Sequence, residues 1–246
     1  MTEYEFNLKM SPQRELMSFK KEDQDPIRNY PRLVPTERDP PETMKSFFNE
    51  NNGKDISDIL GITNNDLFDK FVKRGSQFQA DAELGKYNLR LIDNKNCANV
   101  WRCSALAVML YVHEEEEDER DLPLGISELE FYKGSPVITQ VQGVRASKSW
   151  IDYNVIGMLG PLKWRHLLID SAYQIGRQGL LRSNPNVDGK VYLLSAQQQQ
   201  WLNSHHAPRE APFDLNRAKM TIDRPARDVG FRDKDSTGML FRRIIF

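Results

Sequence analysis

One stretch of the sequence limits the possible folds more than any other, the apolar segment Cys97–His113 (CANVWRCSALAVMLYVH). Its apolar residues appear on all sides of a helical projection, which is typical of a helix enclosed by the rest of a protein. Asn94 and Asn96 precede it and are suitable helix caps. The acidic run Glu114–Glu119 follows, and acidic side chains at a helix C-terminus oppose the helix dipole. The pattern therefore predicts a central buried helix near residues 97–113.

The rest of the chain mixes helical and β-strand patterns. Apolar spacing predicts two short helices and a longer helix over Leu162–Leu181. The first short helix spans 56–60, and the second runs from a cap at Asn64 or Asn65 to a last turn at Lys73 and Arg74, before Gly75. Runs typical of β-strands occur after residue 129, namely in residues 129–144, Trp150–Ile156, Lys190–Leu194 and Met239–Phe246. The last run fits either an edge strand or a docking tail. The sequence thus predicts an α+β, helix-rich fold with a few strands in its C-terminal half.

Proline content separates the two ends of the chain from its middle. Six of the 13 prolines lie between Pro12 and Pro41, where they interrupt helical and strand periods and bias the preceding residues toward extended backbone. Residues 207–238 are also rich in proline, arginine and aspartate. We therefore predict an extended N-terminal arm at 1–50, a globular α+β core domain at 51–206, and a C-terminal arm or docking tail at 207–246.

Charge is distributed unevenly along the chain, although the formal net charge is only −1. Residues 1–139 carry 18 Lys and Arg against 26 Asp and Glu, whereas residues 140–246 carry 16 against 9. A basic half can meet nucleic acid or the acidic half of a second copy, or it can be a solvated face. Aromatic residues lie among its cations, as in grooves where bases stack, although Trp164 falls on the core side of its predicted helix. The candidate nucleic-acid-binding residues are Arg145, Lys148, Lys163, Arg165, Arg177, Arg182 and Lys190.

Composition and motifs argue against several other classes of protein. No apolar run reaches the roughly 18 residues of a membrane span, and the N-terminus has no apolar leader, so a cytoplasmic or otherwise intracellular protein is expected. Two cysteines cannot build a disulfide framework. The expected role of Cys97 and Cys103 is packing, with a reactive Cys97 at a helix start as the alternative. Metal-ligand spacings are absent, so we assign neither a metal site nor a catalytic residue.

A short glycine-containing segment, Gly157-Met-Leu-Gly160-Pro161, lies between a predicted strand and the helix at Leu162–Leu181. Its glycines allow the backbone to approach a ligand closely, proline suits a first helical turn, and the N–H groups at a helix start bind phosphate. In general plan the segment resembles the pyrophosphate loop of GNAT-type acyltransferases. The resemblance covers Trp150–Leu194 and implies an enzyme that binds acyl-CoA beside this helix.

Other fragments are similar to short stretches of phlebovirus-type nucleoproteins. They are Trp101–Val108, and Leu168–Asp170 followed by Asn184–Gly189. Those proteins have nearly this length and exchange an N-terminal arm between neighbours along RNA. The resemblance implies self-association and coating of RNA.

Together these features favour a non-enzymatic structural protein that needs no cofactor and associates with other copies of itself through its arms. Its basic C-terminal half would bind single-stranded RNA, as in a nucleocapsid or coat protein. Near-neutral overall charge favours assembly without RNA, whereas the clustered C-terminal charge favours RNA binding. The alternative is a GNAT-like acyl-CoA-dependent acyltransferase that uses the Gly157–Pro161 loop.

Overall fold

The computed structural model describes residues 42–73, 86–93, 106–113, 121–132, 134–143, 160–183, 189–198 and 214–244. Within these ranges the fold is built around a seven-stranded mixed sheet. Its strands are β1 (Tyr87–Asp93), β2 (Leu106–His113), β3 (Asp121–Tyr132), β4 (Ser135–Gly143), β5 (Lys190–Leu193), β6 (Asp233–Lys234) and β7 (Leu240–Arg243).

The strand order β1-β2-β3-β4-β5-β7-β6 divides the sheet into two parts. Strands β1 to β4 form an antiparallel meander. Strand β5 then lies parallel to β4, with Val137 opposite Tyr192 and Ile138 opposite Leu193. Strand β7 is antiparallel to both β5 and β6. A parallel neighbour requires a crossover connection, and a long helix between β4 and β5 provides it.

That helix is α4 (Trp164–Ser183), with 20 residues the longest helix in the described part of the chain. The shorter helices are α1 (Glu42–Asn51), α2 (Ile56–Leu60), α3 (Asn64–Phe68) with a 3₁₀ turn at Asp69–Phe71, α5 (Leu215–Ala218) and α6 (Arg224–Asp228). A π-helical turn at Lys219–Asp223 joins α5 to α6. Residues 215–228 therefore form one continuous helical segment.

Helix α4 packs against one face of the sheet, and glycines permit its close approach. A Cβ atom at Gly176 would lie 2.9 Å from Cβ of Pro136 in β4, which is closer than such atoms can come. At the beginning of the helix, a Cβ atom at Gly143 would lie 3.5 Å from the indole ring of Trp164. The N-terminus of α4 therefore lies beside the carboxyl end of β4.

The centre of the sheet corrects the prediction of a central helix. Residues 106–113 form β2, and residues 97–105 lie outside the described ranges. Strand β2 is buried on both faces, since Val108 packs in the main core under α4 and Met109 packs in a separate cluster on the other face. A strand buried on both faces has a continuous apolar sequence, and periodicity cannot distinguish such a run from a buried helix.

The prediction of a helix-rich fold is also wrong. The fold is α+β, with a seven-stranded sheet and a single long helix in the described residues. Residues 42–50 of the predicted N-terminal arm belong to α1, which buries Phe47 and Phe48, while residues 1–41 lie outside the described ranges. Near the C-terminus, β7 lies between two other strands. Proline content was misleading there, because Pro225 lies inside the helical segment 215–228, just after its π-helical turn.

Other predicted elements agree with the structure. The helix predicted over Leu162–Leu181 corresponds to α4, and the strand predicted at Lys190–Leu194 corresponds to β5. The strand predicted at Trp150–Ile156 lies outside the described residues, and the boundaries of the three predicted domains remain predictions. Among the described helices, none is both long enough and apolar enough to cross a membrane.

Candidate anion-binding site

A cleft of about 440 Å³ opens between the N-terminus of α4 and the helical segment 215–228. One wall consists of Lys73 and the residues that begin α4. The other wall consists of residues from one side of segment 215–228. The lining residues are Lys73, Leu162, Lys163, Trp164, Arg165, His166, Met220, Thr221, Arg224, Pro225 and Asp228.

Backbone hydrogen bonds fix the first wall. The N–H group of Lys73 donates to the carbonyl oxygen of Pro161 at 2.8 Å, and the N–H group of Lys163 donates to that of Phe71 at 2.7 Å. Leu162, between them, is fully buried. The side chain of Lys73 also donates to the carbonyl oxygen of Gly160. This short ladder brings two lysines that are 90 positions apart in sequence to the same edge of the cleft.

The second wall is one face of a helix. Met220, Arg224 and Asp228 follow one another at intervals of four residues, so they project from the same side of the segment. Met220 is 55% exposed, which is unusual for a large apolar side chain in this structure. The buried residues Ile222 and Ala226 anchor the opposite side of the segment in the main core. The wall is therefore held firmly while its polar face is open to the cleft.

The cleft has an excess of positive charge. Four of its lining side chains are lysine or arginine, and one, Asp228, is a carboxylate. That carboxylate is already engaged, because its Oδ2 atom lies 3.1 Å from Nε2 of His166. In the described part of the chain, Lys163 and Arg224 have no carboxylate partner within ion-pair distance.

Arg165 is the most constrained of these cations. Its guanidinium lies 4.1 Å from the ring centre of Trp164, and no described carboxylate pairs with it. Burial lowers the pKa of Arg165, and the nearby positive charge of Arg217 lowers it further. A half-buried guanidinium that faces a like charge is stabilised by an anion that accepts its hydrogen bonds.

The beginning of α4 adds backbone donors to these charges. The first N–H groups of an α-helix have no partner inside the helix, and the dipole makes this end positive. No acidic residue occupies the first turn of α4. The cleft thus combines peptide N–H groups with lysine and arginine side chains, which is the donor set that binds phosphate.

The structure brings together two of the seven predicted nucleic-acid-binding residues. Lys163 and Arg165 both line the cleft. Arg182, at the other end of α4, lies 3.8 Å from Glu50 and 5.3 Å from the ring centre of Phe47. The remaining predicted residues are Arg177, which is half-buried on α4, Lys190, whose ammonium lies 5.0 Å from the ring centre of Phe241, and Arg145 and Lys148, which lie outside the described ranges.

Two cations of the cleft come from parts of the chain in which no site was predicted. Lys73 follows a 3₁₀ turn, and Arg224 belongs to the segment predicted to be an arm. One signal could have revealed the second wall. Asp214 caps the segment by accepting a hydrogen bond from the N–H group of Arg217 at 3.0 Å, and an aspartate before a helical run is a recognisable helix start.

Other candidates from the sequence fall outside this site. Cys97, Cys103 and Gly157–Leu159 lie outside the described residues. Pro161 precedes the first residue of α4 by three positions and is not in the helix. In the nucleoprotein-like fragment Leu168–Asp170, the side chains of Leu168 and Ile169 are buried in the core, and Asp170 forms an ion pair with Arg242 at 2.8 Å.

The described residues contain no group of three or more His, Cys, Asp or Glu that could hold a metal ion. Comparison with known proteins finds no matching family model, no matching curated protein and no matching solved structure.

Proposed function

We propose that this protein is an acyl-CoA-dependent acyltransferase and that the phosphates of the coenzyme bind in the cleft at the start of α4. The observation that carries the proposal is the cluster Lys73, Lys163, Arg165 and Arg224 around a helix N-terminus, with one carboxylate among the lining residues. In acyl transfer from CoA, a nucleophile attacks the thioester carbon, the carbon–sulfur bond breaks, and the coenzyme leaves as a thiol.

The position of the cleft in the sheet supports a ligand site. Ligands of sheets with parallel strands bind outside the carboxyl ends of those strands, next to the N-terminus of the crossover helix. Here β4 and β5 are the parallel pair, α4 is the crossover, and the cleft lies at its N-terminus. Strand β4 also runs five residues beyond Ile138, its last residue opposite β5, toward this end of α4.

The connection from β4 through α4 to β5 also favours the acyltransferase alternative. It places a helix after a strand, which is the general plan on which the resemblance to GNAT-type acyltransferases rests. Fold analogy alone does not define function, so the proposal rests on the cleft, with the topology as support.

The geometry favours a coenzyme over a strand of RNA. Arg165 and Arg182 lie 17 residues apart on one helix, which separates them by about 25 Å, and Arg182 is already paired with Glu50. An RNA groove would need a continuous track of cations and exposed aromatic rings. The described cations instead concentrate in one open cleft, which suits a short polyphosphate. Self-association through the arms remains a separate prediction, since residues 1–41 lie outside the described ranges.

Isothermal titration calorimetry with acetyl-CoA tests the proposal. We expect the wild-type protein to bind, and the double variant Lys163→Gln/Arg165→Gln to bind at least tenfold more weakly, because two charge-assisted contacts are lost. Arg182→Gln is the matched control at the other end of α4 and should bind like wild type. A 12-nucleotide single-stranded RNA is titrated in parallel.

Either of two results would overturn the proposal. One is that acetyl-CoA does not bind to the wild-type protein. The other is that the RNA binds more tightly than acetyl-CoA, with an affinity that falls steeply with salt and is equally reduced by Arg182→Gln. The second result would restore the RNA-binding alternative.

A further inference from the structure

We propose that the helical segment 215–228 contains a subsite for the 3′-phosphate of the coenzyme, with Arg224 as its principal ligand, so that the cleft selects CoA over dephospho-CoA. The inference rests on the proposed function. It adds a specificity-determining residue on the wall opposite the start of α4.

The cleft has room for more than one phosphate group. Its volume of about 440 Å³ corresponds to on the order of 15 water molecules at about 30 Å³ each. A diphosphate held at the start of α4 fills only part of that volume. Met220, Thr221 and Arg224 of the second wall line the same cleft, so a further phosphate can reach them.

The charges of the two walls form separate groups. Lys73 and Lys163 belong to the backbone ladder at the start of α4, where the peptide N–H groups also lie. Arg224 projects from the facing helix, is exposed, and has no carboxylate partner among the described residues. A guanidinium can donate two parallel hydrogen bonds to one phosphate, so Arg224 suits a terminal phosphomonoester.

A second arginine, Arg217, adds positive charge near Arg165, although it does not line the cleft itself. Arg217 lies seven residues before Arg224 on the same segment, and its positive charge lowers the pKa of Arg165 on the opposite wall, so the two guanidinium groups repel each other. The one carboxylate among the lining residues, Asp228, lies 3.1 Å from Nε2 of His166. A phosphomonoester with two negative charges relieves this repulsion better than a singly charged diester.

Met220 supports the same assignment independently of charge. It is one turn before Arg224, lines the cleft and is 55% exposed. A methionine thioether packs favourably on an aromatic ring. An exposed apolar side chain next to an exposed arginine therefore matches a nucleoside that carries a phosphate on its ribose.

The test compares three ligands by isothermal titration calorimetry: CoA, dephospho-CoA, and adenosine 3′,5′-bisphosphate, which carries the 3′-phosphate without the thiol arm. We expect wild type to bind CoA at least tenfold more tightly than dephospho-CoA. Arg224→Gln should reduce the affinity for CoA to that for dephospho-CoA and abolish binding of the bisphosphate. Arg227→Gln is the matched control, because Arg227 is exposed on the same helix but does not line the cleft.

The outcomes separate the subsite from the function. If wild type binds CoA and dephospho-CoA equally, the subsite is wrong and the proposed function stands. If the preference for CoA survives in Arg224→Gln, the 3′-phosphate binds elsewhere, and this inference fails. If none of the three ligands binds, the proposed function itself fails. Thermal melting of both variants verifies that each is folded.

Discussion

Two helices of this protein begin in opposite ways. At the start of α3, the side chain of Thr63 accepts a hydrogen bond from the N–H group of Asp66 at 3.1 Å, and the carboxylate of Asp66 accepts one from the N–H group of Thr63 at 3.2 Å. At the start of α4, no acidic residue occupies the first turn, and Lys163, Arg165 and His166 occur instead. The first pattern complements the helix dipole and the second opposes it.

The two helix starts have different roles: the start of α3 stabilises the fold, whereas the start of α4 is suited to binding a ligand. A capping box satisfies two backbone N–H groups at a helix start within the chain and places a carboxylate there, so the site is less suited to an anionic ligand. Cations at a helix N-terminus destabilise the free protein, and they become favourable only when an anion arrives. Arg182, near the C-terminus of α4, shows that this same helix also carries a cation where the dipole favours it.

The largest predicted change in the free energy of unfolding concerns the core around the C-terminal half of α4, away from the cleft. Phe48 is 2% exposed, and a Cβ atom at Gly179 would lie 3.3 Å from its ring. Phe48→Ala should lower the free energy of unfolding by about 3–5 kcal/mol, because it leaves a cavity in the core. Met220→Ala, at the cleft, should change it by less than about 0.5 kcal/mol. Urea unfolding measures the free energy of unfolding of both variants. Equal losses of stability in Phe48→Ala and Met220→Ala would contradict the distinction between the core and the cleft.

A second prediction compares two arginines. Arg242 donates hydrogen bonds to Asp170 at 2.8 Å and to the carbonyl oxygen of Val229 at 2.7 Å, and it stacks 3.8 Å from the ring centre of Tyr173. Arg242→Gln should cost about 1–3 kcal/mol in the free energy of unfolding, because a largely buried carboxylate loses its partner.

Arg165→Gln is the comparison for that variant. It removes a cation that has no described carboxylate partner, so its cost should be smaller than that of Arg242→Gln. A cost as large as that of Arg242→Gln would mean that Arg165 is a structural residue.

Removal of a cation should change the free energy of unfolding in opposite directions at the two ends of α4. Lys163→Gln removes a cation from the helix N-terminus and should raise the free energy of unfolding by about 0.3–1 kcal/mol. Arg182→Gln removes a cation from the last turn and should lower it by a similar amount. Chemical unfolding at low ionic strength measures both. Addition of salt should reduce both effects, and two changes of the same sign would contradict the electrostatic account.

The smallest effect concerns acid stability. Hydrogen bonds from the side chain and backbone of Thr63 lower the pKa of Asp66 in the folded protein. A lowered pKa contributes stability above the unfolded value of about 3.9, and this contribution is lost as the pH falls through the folded value. The stability difference between wild type and Asp66→Asn should therefore be present at pH 6 and shrink at pH 2.5. A stability difference between wild type and Asp66→Asn that is independent of pH would contradict the lowered pKa of Asp66.

Local patterns in the sequence predicted α4, β5 and the short helices α2 and α3 because each has its own periodicity or cap. They could not distinguish β2 from a helix, since burial on both faces removes the alternation that identifies a strand. The cleft could not be predicted from local sequence patterns, for a different reason. Lys73, Lys163 and Arg224 are far apart in sequence, and only the backbone ladder and the packing of segment 215–228 bring them together.

The short contact between the two parts of the sheet has a consequence for amide hydrogen exchange. Strands β4 and β5 are paired at two positions, whereas β3 and β4 are paired at eight. We expect β5 and β7 to open as a cooperative unit at a lower free energy than β2 and β3, whose amides should exchange only on global unfolding. Segment 215–228 lies between β5 and β7 in the chain, so the opening of this unit would dismantle one wall of the cleft. A ligand that bridges both walls should therefore slow exchange in β5 and β7 more than in β2.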